Sequence, residues 1–361
     1  MFRSTFNWIC GNRAPFASCR LWQWCYATNP AIVSSMGLNK LIRISFTVTV
    51  ICTILAFGIL VVPALAQDAS EGTSGQGDLA KLAQKTNNPI GDAWLLIIQN
   101  DVTFIGGDAI DGEEIVNVTK FQPVLSAPVF GGDWNLVVRP VLQYSSVPID
   151  DDVGSLFGIS PNDVFSDPSL ASIAADPFGR TNGLGDTVLL TLLGPNTDDG
   201  WVYAGGVTQI FPTASDDVLG QGKWQAGPSG LLLRLGNDYG GFGIEHFNIG
   251  ALAQQWWSYS GDDDRESTNQ MDIQYFVNWK ATPTTLIGMT PNISINWEAD
   301  GGFSDKVALP VGLGTIGLFS IGKLPVRWGV EAQYYLTGPE SVRREWNIRF
   351  FVAPIISNPF K

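Results

Sequence analysis

From Ala93 to the C-terminus, apolar and polar residues alternate with a period of two in one stretch after another. In 271–280, Met271, Ile273, Tyr275, Val277 and Trp279 form one set and Asp272, Gln274, Phe276, Asn278 and Lys280 the other. In 326–335, Val326, Trp328, Val330, Ala332 and Tyr334 alternate with Arg327, Gly329, Glu331 and Gln333. In 345–352, Trp346, Ile348, Phe350 and Val352 alternate with Glu345, Asn347, Arg349 and Phe351. Successive side chains of a strand point to opposite faces, so each stretch carries one apolar and one polar face. A chain patterned this way folds as a sandwich or as a closed barrel.

Length and punctuation favour the barrel. The stretches run to about ten residues or more, the length that crosses a bilayer when tilted. The alternation predicts twelve antiparallel strands over 93–105, 113–127, 133–146, 184–194, 200–212, 222–235, 240–259, 267–280, 284–298, 305–321, 324–337 and 343–357. Longer connections follow the odd strands: 106–112, 147–183, 213–221, 260–266, 299–304 and 338–342. Tight ones follow the even strands: Gly131-Gly132, 195–199, Gly236–Tyr239, 281–283 and Gly322-Lys323. That asymmetry is expected of an up-and-down barrel in a Gram-negative outer membrane, with tight turns in the periplasm. Trp94, Trp134, Trp201, Trp224, Trp256, Trp257, Trp297 and Trp346 fall near strand ends, where indole rings suit the headgroup level. Such a protein has lipid, lipopolysaccharide and the barrel-assembly machinery as expected partners. The final strand ends on Phe360-Lys361, one residue off the terminal aromatic common in such barrels.

The N-terminal region has a different composition. Its first 66 residues hold five of the 21 basic residues and none of the 34 acidic ones. The remainder therefore has 16 basic against 34 acidic residues, a net of −18. Lys40 and Arg43 precede an apolar run, Ile44 to Val62, and Pro63-Ala64-Leu65-Ala66 supplies small residues at Ala64 and Ala66, as an A-x-A cleavage site requires. A signal peptide over 36–66 is expected, with a retained anchor as the alternative. Residues 1–35 read as an over-extended, disordered start, and 67–92 as a periplasmic segment with a short helix from Asp78 to Thr86. The barrel itself occupies 93–361.

Composition narrows the chemistry. Cys10, Cys19, Cys25 and Cys52 all precede the cleavage site, so the exported chain has no thiol for a disulfide, a metal site or a nucleophile. The acidic balance argues against nucleic acid. No residue pattern implies a cofactor or a metal. After residue 66 no apolar run reaches 18 residues, so no segment is long enough for a membrane-spanning helix.

Several short motifs carry a resemblance. Asn88-Pro89-Ile90-Gly91-Asp92 leads into a first strand with Gln99-Asn100. Lys120-Phe121-Gln122-Pro123-Val124 is followed by Asp133-Trp134-Asn135-Leu136 and Arg139-Pro140. Gly183-Leu184-Gly185-Asp186 and Gly227-Pro228 come later. Over roughly 85–361 the chain resembles the outer-membrane barrel family named for the meta-pathway of phenol degradation, many of whose members carry the label neuromedin U. The resemblance implies a barrel taking up or sensing small molecules, aromatic ones among them, with no catalytic residue. A channel or transporter for a small-molecule solute is thus expected. The alternatives are a closed structural or adhesive barrel and, third, an outer-membrane lipid hydrolase.

The ionisable residues expected to line the lumen are Arg139, Arg234, Glu245, Glu298, Arg327, Glu331 and Arg349. They either select solutes or neutralise one another inside a filled barrel. Inward Phe276, Phe351 and Tyr335 would favour closure. The 147–183 connection, with Phe157, Phe165 and Phe178, is long enough to fold inward as a gate or to lie as a lid. His246, the only histidine, would need a serine partner as a general base, but Asn248 stands two residues on. Asp150-Asp151-Asp152, Asp216-Asp217 and Asp262-Asp263-Asp264 read as solvated acidic loops, since the triplets lack the spacing of a calcium loop.

Overall fold

A computed structural model describes residues 73–107, 113–148, 180–197, 200–340 and 342–360. The expected signal peptide with Ala64 and Ala66, the gating phenylalanines Phe157, Phe165 and Phe178, and Asp150-Asp151-Asp152 lie outside the described residues. Residues Gly75–Lys361 form one compact unit.

That unit is a closed antiparallel barrel of twelve staves. After a helix α1 (Thr73–Thr86) come β1 (Trp94–Gly106), β2 (Glu114–Val129), β3 (Trp134–Val147), β4 (Thr181–Leu184), β5 (Thr187–Pro195), β6 (Gly200–Phe211) and β7 (Lys223–Leu235). Then follow β8 (Phe247–Gly261), β9 (Asn269–Thr282), β10 (Thr285–Met289), β11 (Asn292–Asn296), β12 (Val307–Ile321), β13 (Leu324–Thr337) and β14 (Arg343–Ile356). Apart from β4–β5 and β10–β11, each sequence neighbour is a ladder neighbour, and β1 also pairs with β14, which closes the ring. β4 and β5 both lie on β3, and β10 and β11 both lie between β9 and β12, so fourteen strands make twelve staves. Closure satisfies the backbone edge that an open sheet would leave bare.

Proline marks several breaks in the ladder. The β2–β3 pairing lapses between Phe121↔Leu142 and Leu125↔Val138, where Pro123 and Pro140 would face each other without an N–H between them. Pro228 lies in a similar gap between Ala226↔Trp257 and Ser229↔Gln254. Pro291 stands between β10 and β11, where one expected strand, 284–298, is interrupted. The expected strand 184–194 likewise splits at Gly185-Asp186. There the Gly185 N–H bonds Gln143 O (3.0 Å) and the Asp186 carboxylate accepts from Gln221 N (2.7 Å) and Ala214 N (3.2 Å). Asp186 thereby ties the β6–β7 connection to the wall.

One boundary is corrected. The expected tight turn Gly236–Tyr239 and strand 240–259 give way to a connection over 236–246 with a 3-10 turn, Ile244–His246, before β8. Gly240 adopts a positive φ of 79°, and Gly240 N–H bonds Lys280 O (2.9 Å), so the chain folds back on β9 rather than extending.

The two faces of the wall differ as the alternation requires. Outward positions include Ile98, Leu142, Tyr203, Val207 (63% exposed), Leu232, Leu313 and Val352. A continuous apolar surface of this kind is rare on a protein in water and matches a bilayer. Aromatic rings collect at both ends of it: Trp94 with Phe360 (6.0 Å) and Phe242 stacked on Trp279 (5.6 Å) at the tight-turn end, Tyr334 with Trp346 (5.0 Å) and Phe211 with Trp224 (5.5 Å) at the other. The outward amides Asn100 and Asn117 bond one another (3.0 and 3.2 Å), and Asn100 donates to Thr119 (2.8 Å), so neither asks hydrocarbon for a partner.

Candidate functional site: the barrel interior

Moving along the axis, the interior changes character. At the tight-turn end it is apolar: Val137, Leu190, Leu192, Val202, Leu231, Leu233 and Leu235 form one buried cluster, with Phe276 against it. Leu95, Ala353 and Ile355 form another, with Phe351 and Leu82 against it. Phe276 and Phe351 therefore point inward and fill space.

Into this end fits the N-terminal segment. Ile90 is completely buried in the first cluster. A side chain at Gly194 would meet the Ile90 Cδ1 and the Tyr203 carbonyl, so glycine there makes room for the plug. Asn88 accepts from Ile90 N (3.0 Å) and donates to Thr197 O (2.6 Å). Asn135 donates to Ile90 O (2.9 Å) and to the Asp92 carboxylate (3.1 Å). The α1 helix is held at its C-terminal end, where carbonyls lack partners and cations are favoured. Arg327 donates to Thr86 O, and Lys280 Nζ donates to Gln84 Oε1 (2.6 Å) and Gly236 O (2.8 Å). The motifs 88–92 and 133–136, distant in sequence, are thus the two halves of one plug contact.

Midway along the axis the interior is ionic. Asp101 receives Arg349 Nε (2.7 Å), Gln99 (2.7 Å), Asn347 (3.1 Å) and Lys120 Nζ (3.3 Å). Arg349 also donates to Thr290 O (3.0 Å) and Asn292 Oδ1 (3.3 Å), and Asn292 donates to Asp272 (2.7 Å). Glu331 accepts from Thr290 N (3.1 Å) and Thr290 Oγ1 (2.9 Å). The break at Thr290-Pro291 thus turns strand backbone into lumen ligands. These bonds cross the barrel, joining β1 and β14 to β9, β10 and β11. Three acids, Asp101, Asp272 and Glu331, stand among three basic residues, Lys120, Arg139 and Arg349, so the formal charges of the band balance. A small cavity between β10, β12, β13 and β14, lined by Gly288, Gly314, Gly329, Glu331 and Arg349, has room for about one water molecule.

Nearer the long-connection end the interior is lined by amides. Gln270 donates to Gln221 and Gln225 (both 2.8 Å), and Thr208 donates to Gln254 (3.0 Å). Trp256, expected at the lipid belt, instead points inward and donates to Thr208 Oγ1 (3.0 Å). Above them Arg265 joins two connections, donating to Gly220 O (2.7 Å) and Asp217 O (2.9 Å) and lying 3.8 Å from Asp262. The Asp217 carboxylate also lies 3.4 Å from Arg265, and both acids remain solvent-exposed while facing it.

Of the seven expected lumen residues, Arg139, Arg327, Glu331 and Arg349 point inward. The other three are corrected. Arg234 pairs in register with the outward Trp201 and donates to Ile244 O (2.6 Å) on the outer face. Glu245 lies in the β7–β8 connection beside His246 (3.4 Å), and Glu298 is exposed beyond the end of β11. His246 itself accepts from Gly241 N (3.3 Å), which braces that connection. The expected lumen residues did not include Asp101, Lys120, Asp272 or Lys280, which also point inward. The outward Asn100 beside Asp101 blurs the alternation there.

No family model and no curated protein matches the chain. Solved structures that resemble it include an outer membrane channel from Pseudomonas putida F1, at 12% identity and a TM-score of 0.49, covering 73% of this chain and 96% of that one. The beta domain of the Bordetella autotransporter BrkA follows at 11% identity and 0.36, covering 73% and 99%. The P. putida toluene transporter TodX stands at 8% identity and 0.32, covering 75% and 92%.

Proposed function

We propose that this chain is an outer-membrane channel for small solutes, held shut in this conformation by its own N-terminal segment. The observation that carries the reading is the interior itself. An apolar outer wall encloses a band of six charged residues and an amide-lined mouth, which a barrel filled only for stability would replace with packed side chains. Replacing a buried ion pair by apolar residues is often neutral or stabilising. An ionic lumen therefore has a cost that passage of polar or charged solute would explain. The plug is joined to the wall by a handful of hydrogen bonds and a few buried side chains, Ile90 the deepest, so its release is a local event.

The reading includes a Gram-negative outer membrane, export through a cleaved signal at Ala64 and Ala66, and insertion by the barrel-assembly machinery among phospholipid and lipopolysaccharide. The finer expectation, an aromatic or hydrophobic solute gated by Phe157, Phe165 and Phe178, belongs to the same proposal. The test is single-channel recording of the refolded 67–361 chain in planar bilayers, with folding checked by heat-modifiable migration. Current steps in the wild type, enlarged or more frequent in Ile90→Ala, support a plugged channel. Silence in both sinks it and leaves the closed structural barrel that the inward Phe276 and Phe351 would favour.

A further inference from the structure

The three acids of the ionic band are already supplied with donors. Asp101 holds two cations and two amides, Glu331 holds the backbone and hydroxyl of Thr290, and Asp272 holds the amide of Asn292. Arg349 is used as fully, on Asp101, Thr290 and Asn292. Arg139 differs. Its Nε is buried without a hydrogen-bond partner, and Asp272 faces it only as a charge. An unpaired buried donor is costly, the more so on a cation. The band thus offers an incoming molecule a cationic donor that is still open.

The wall around Arg139 says what else such a molecule carries. Arg139 is level with Leu190 on β5. One step toward the long-connection end, Val141 pairs with Val188, and Val188 pairs with Ile210. These inward positions form an apolar row across three staves, one step above the guanidinium on the side of the amide-lined mouth. A planar guanidinium suits a carboxylate in bidentate fashion. We propose that Arg139 is the carboxylate-binding residue of a solute site in the lumen, with Val141, Val188 and Ile210 receiving the solute's apolar body. The class of ligand is a small organic anion such as an aromatic or short aliphatic carboxylate. This deepens the channel reading and rests on it for the solute's route, but the site can be tested without passage.

The experiment is calorimetric titration of the refolded 67–361 chain in detergent micelles with benzoate and with benzamide, which is neutral and nearly the same shape. Benzoate is expected to bind about tenfold more tightly than benzamide. Arg139→Gln and Arg139→Met should both erase that preference, the second serving if the first does not fold. Arg234→Gln, which removes an arginine from the outer face, should keep it. Equal binding of the two probes by the wild type, absence of binding by either, or a preference that survives in the Arg139 variants overturns the proposal. Bilayer recordings on the same preparation separate the two claims. Current without a benzoate preference sinks the site and leaves the channel, whereas a preference in a silent barrel leaves the site and sinks the channel.

Discussion

The two ends of the interior solve opposite problems with the same wall. At the tight-turn end, buried leucine and valine from five staves close around Ile90 as a water-soluble core would, and Asn88 and Asn135 seat the plug there. At mid-height, Asp101, Glu331 and Arg349 are buried and Lys120, Arg139 and Asp272 half-buried, and ion pairs and hydrogen bonds tie Asp101, Lys120, Arg349, Asp272 and Glu331 into place. The apolar end gains from exclusion of water and tolerates rearrangement. The ionic band depends on each partner being present, because a charge left alone in a low-dielectric interior has nothing to offset its lost hydration.

That contrast is open to direct attack. The largest effect is expected from Asp101→Ala, which leaves Arg349 and Lys120 without their shared carboxylate. A loss of about 3–5 kcal/mol in the urea unfolding of the refolded barrel follows if the band is protein-like. A loss below about 1 kcal/mol would mean that water fills the lumen and screens the pair. Next comes Ile90→Ala, at about 2–4 kcal/mol for a fully buried isoleucine. It should also raise hydrogen exchange across 77–92, and exchange unchanged from wild type would show that Ile90 does not hold the plug. Arg327→Gln removes the cation at the α1 C-terminus, for about 1 kcal/mol. Here the helix should loosen while the global unfolding midpoint barely moves. The smallest change belongs to Arg234→Gln on the outer face, within about 0.5 kcal/mol. A larger loss would mean that its bond to Ile244 O anchors the β7–β8 connection more firmly than its exposure implies.

The sequence carried the wall clearly. Period-two alternation is local, so Arg327, Glu331, Asn347 and Arg349 could be placed inward by counting. It failed where the chain leaves the strand. Arg234 sits one residue out of phase with Leu233 and Leu235, and an arginine on a lipid-facing wall reads as a lumen residue until the register is known. Glu245 and Glu298 were assigned to strands that begin after the first and end before the second. Trp256 and Trp257 are adjacent indoles that alternation sends to opposite faces, and only the ladder says which goes inside.

Taken alone, the sequence determined a twelve-stave barrel with tight turns at one end and long connections at the other, because strand periodicity and turn residues act over a few positions. What tertiary structure decided was everything that joins residues far apart in the chain. The docking of 88–92 on Asn135 and the seating of Ile90 against Gly194 need the folded wall, and the bonds of Asn347 and Arg349 to Asp101 need closure of the ring between β1 and β14. Closure is a global property of register and shear, and no local pattern records which side chains then face one another across the lumen.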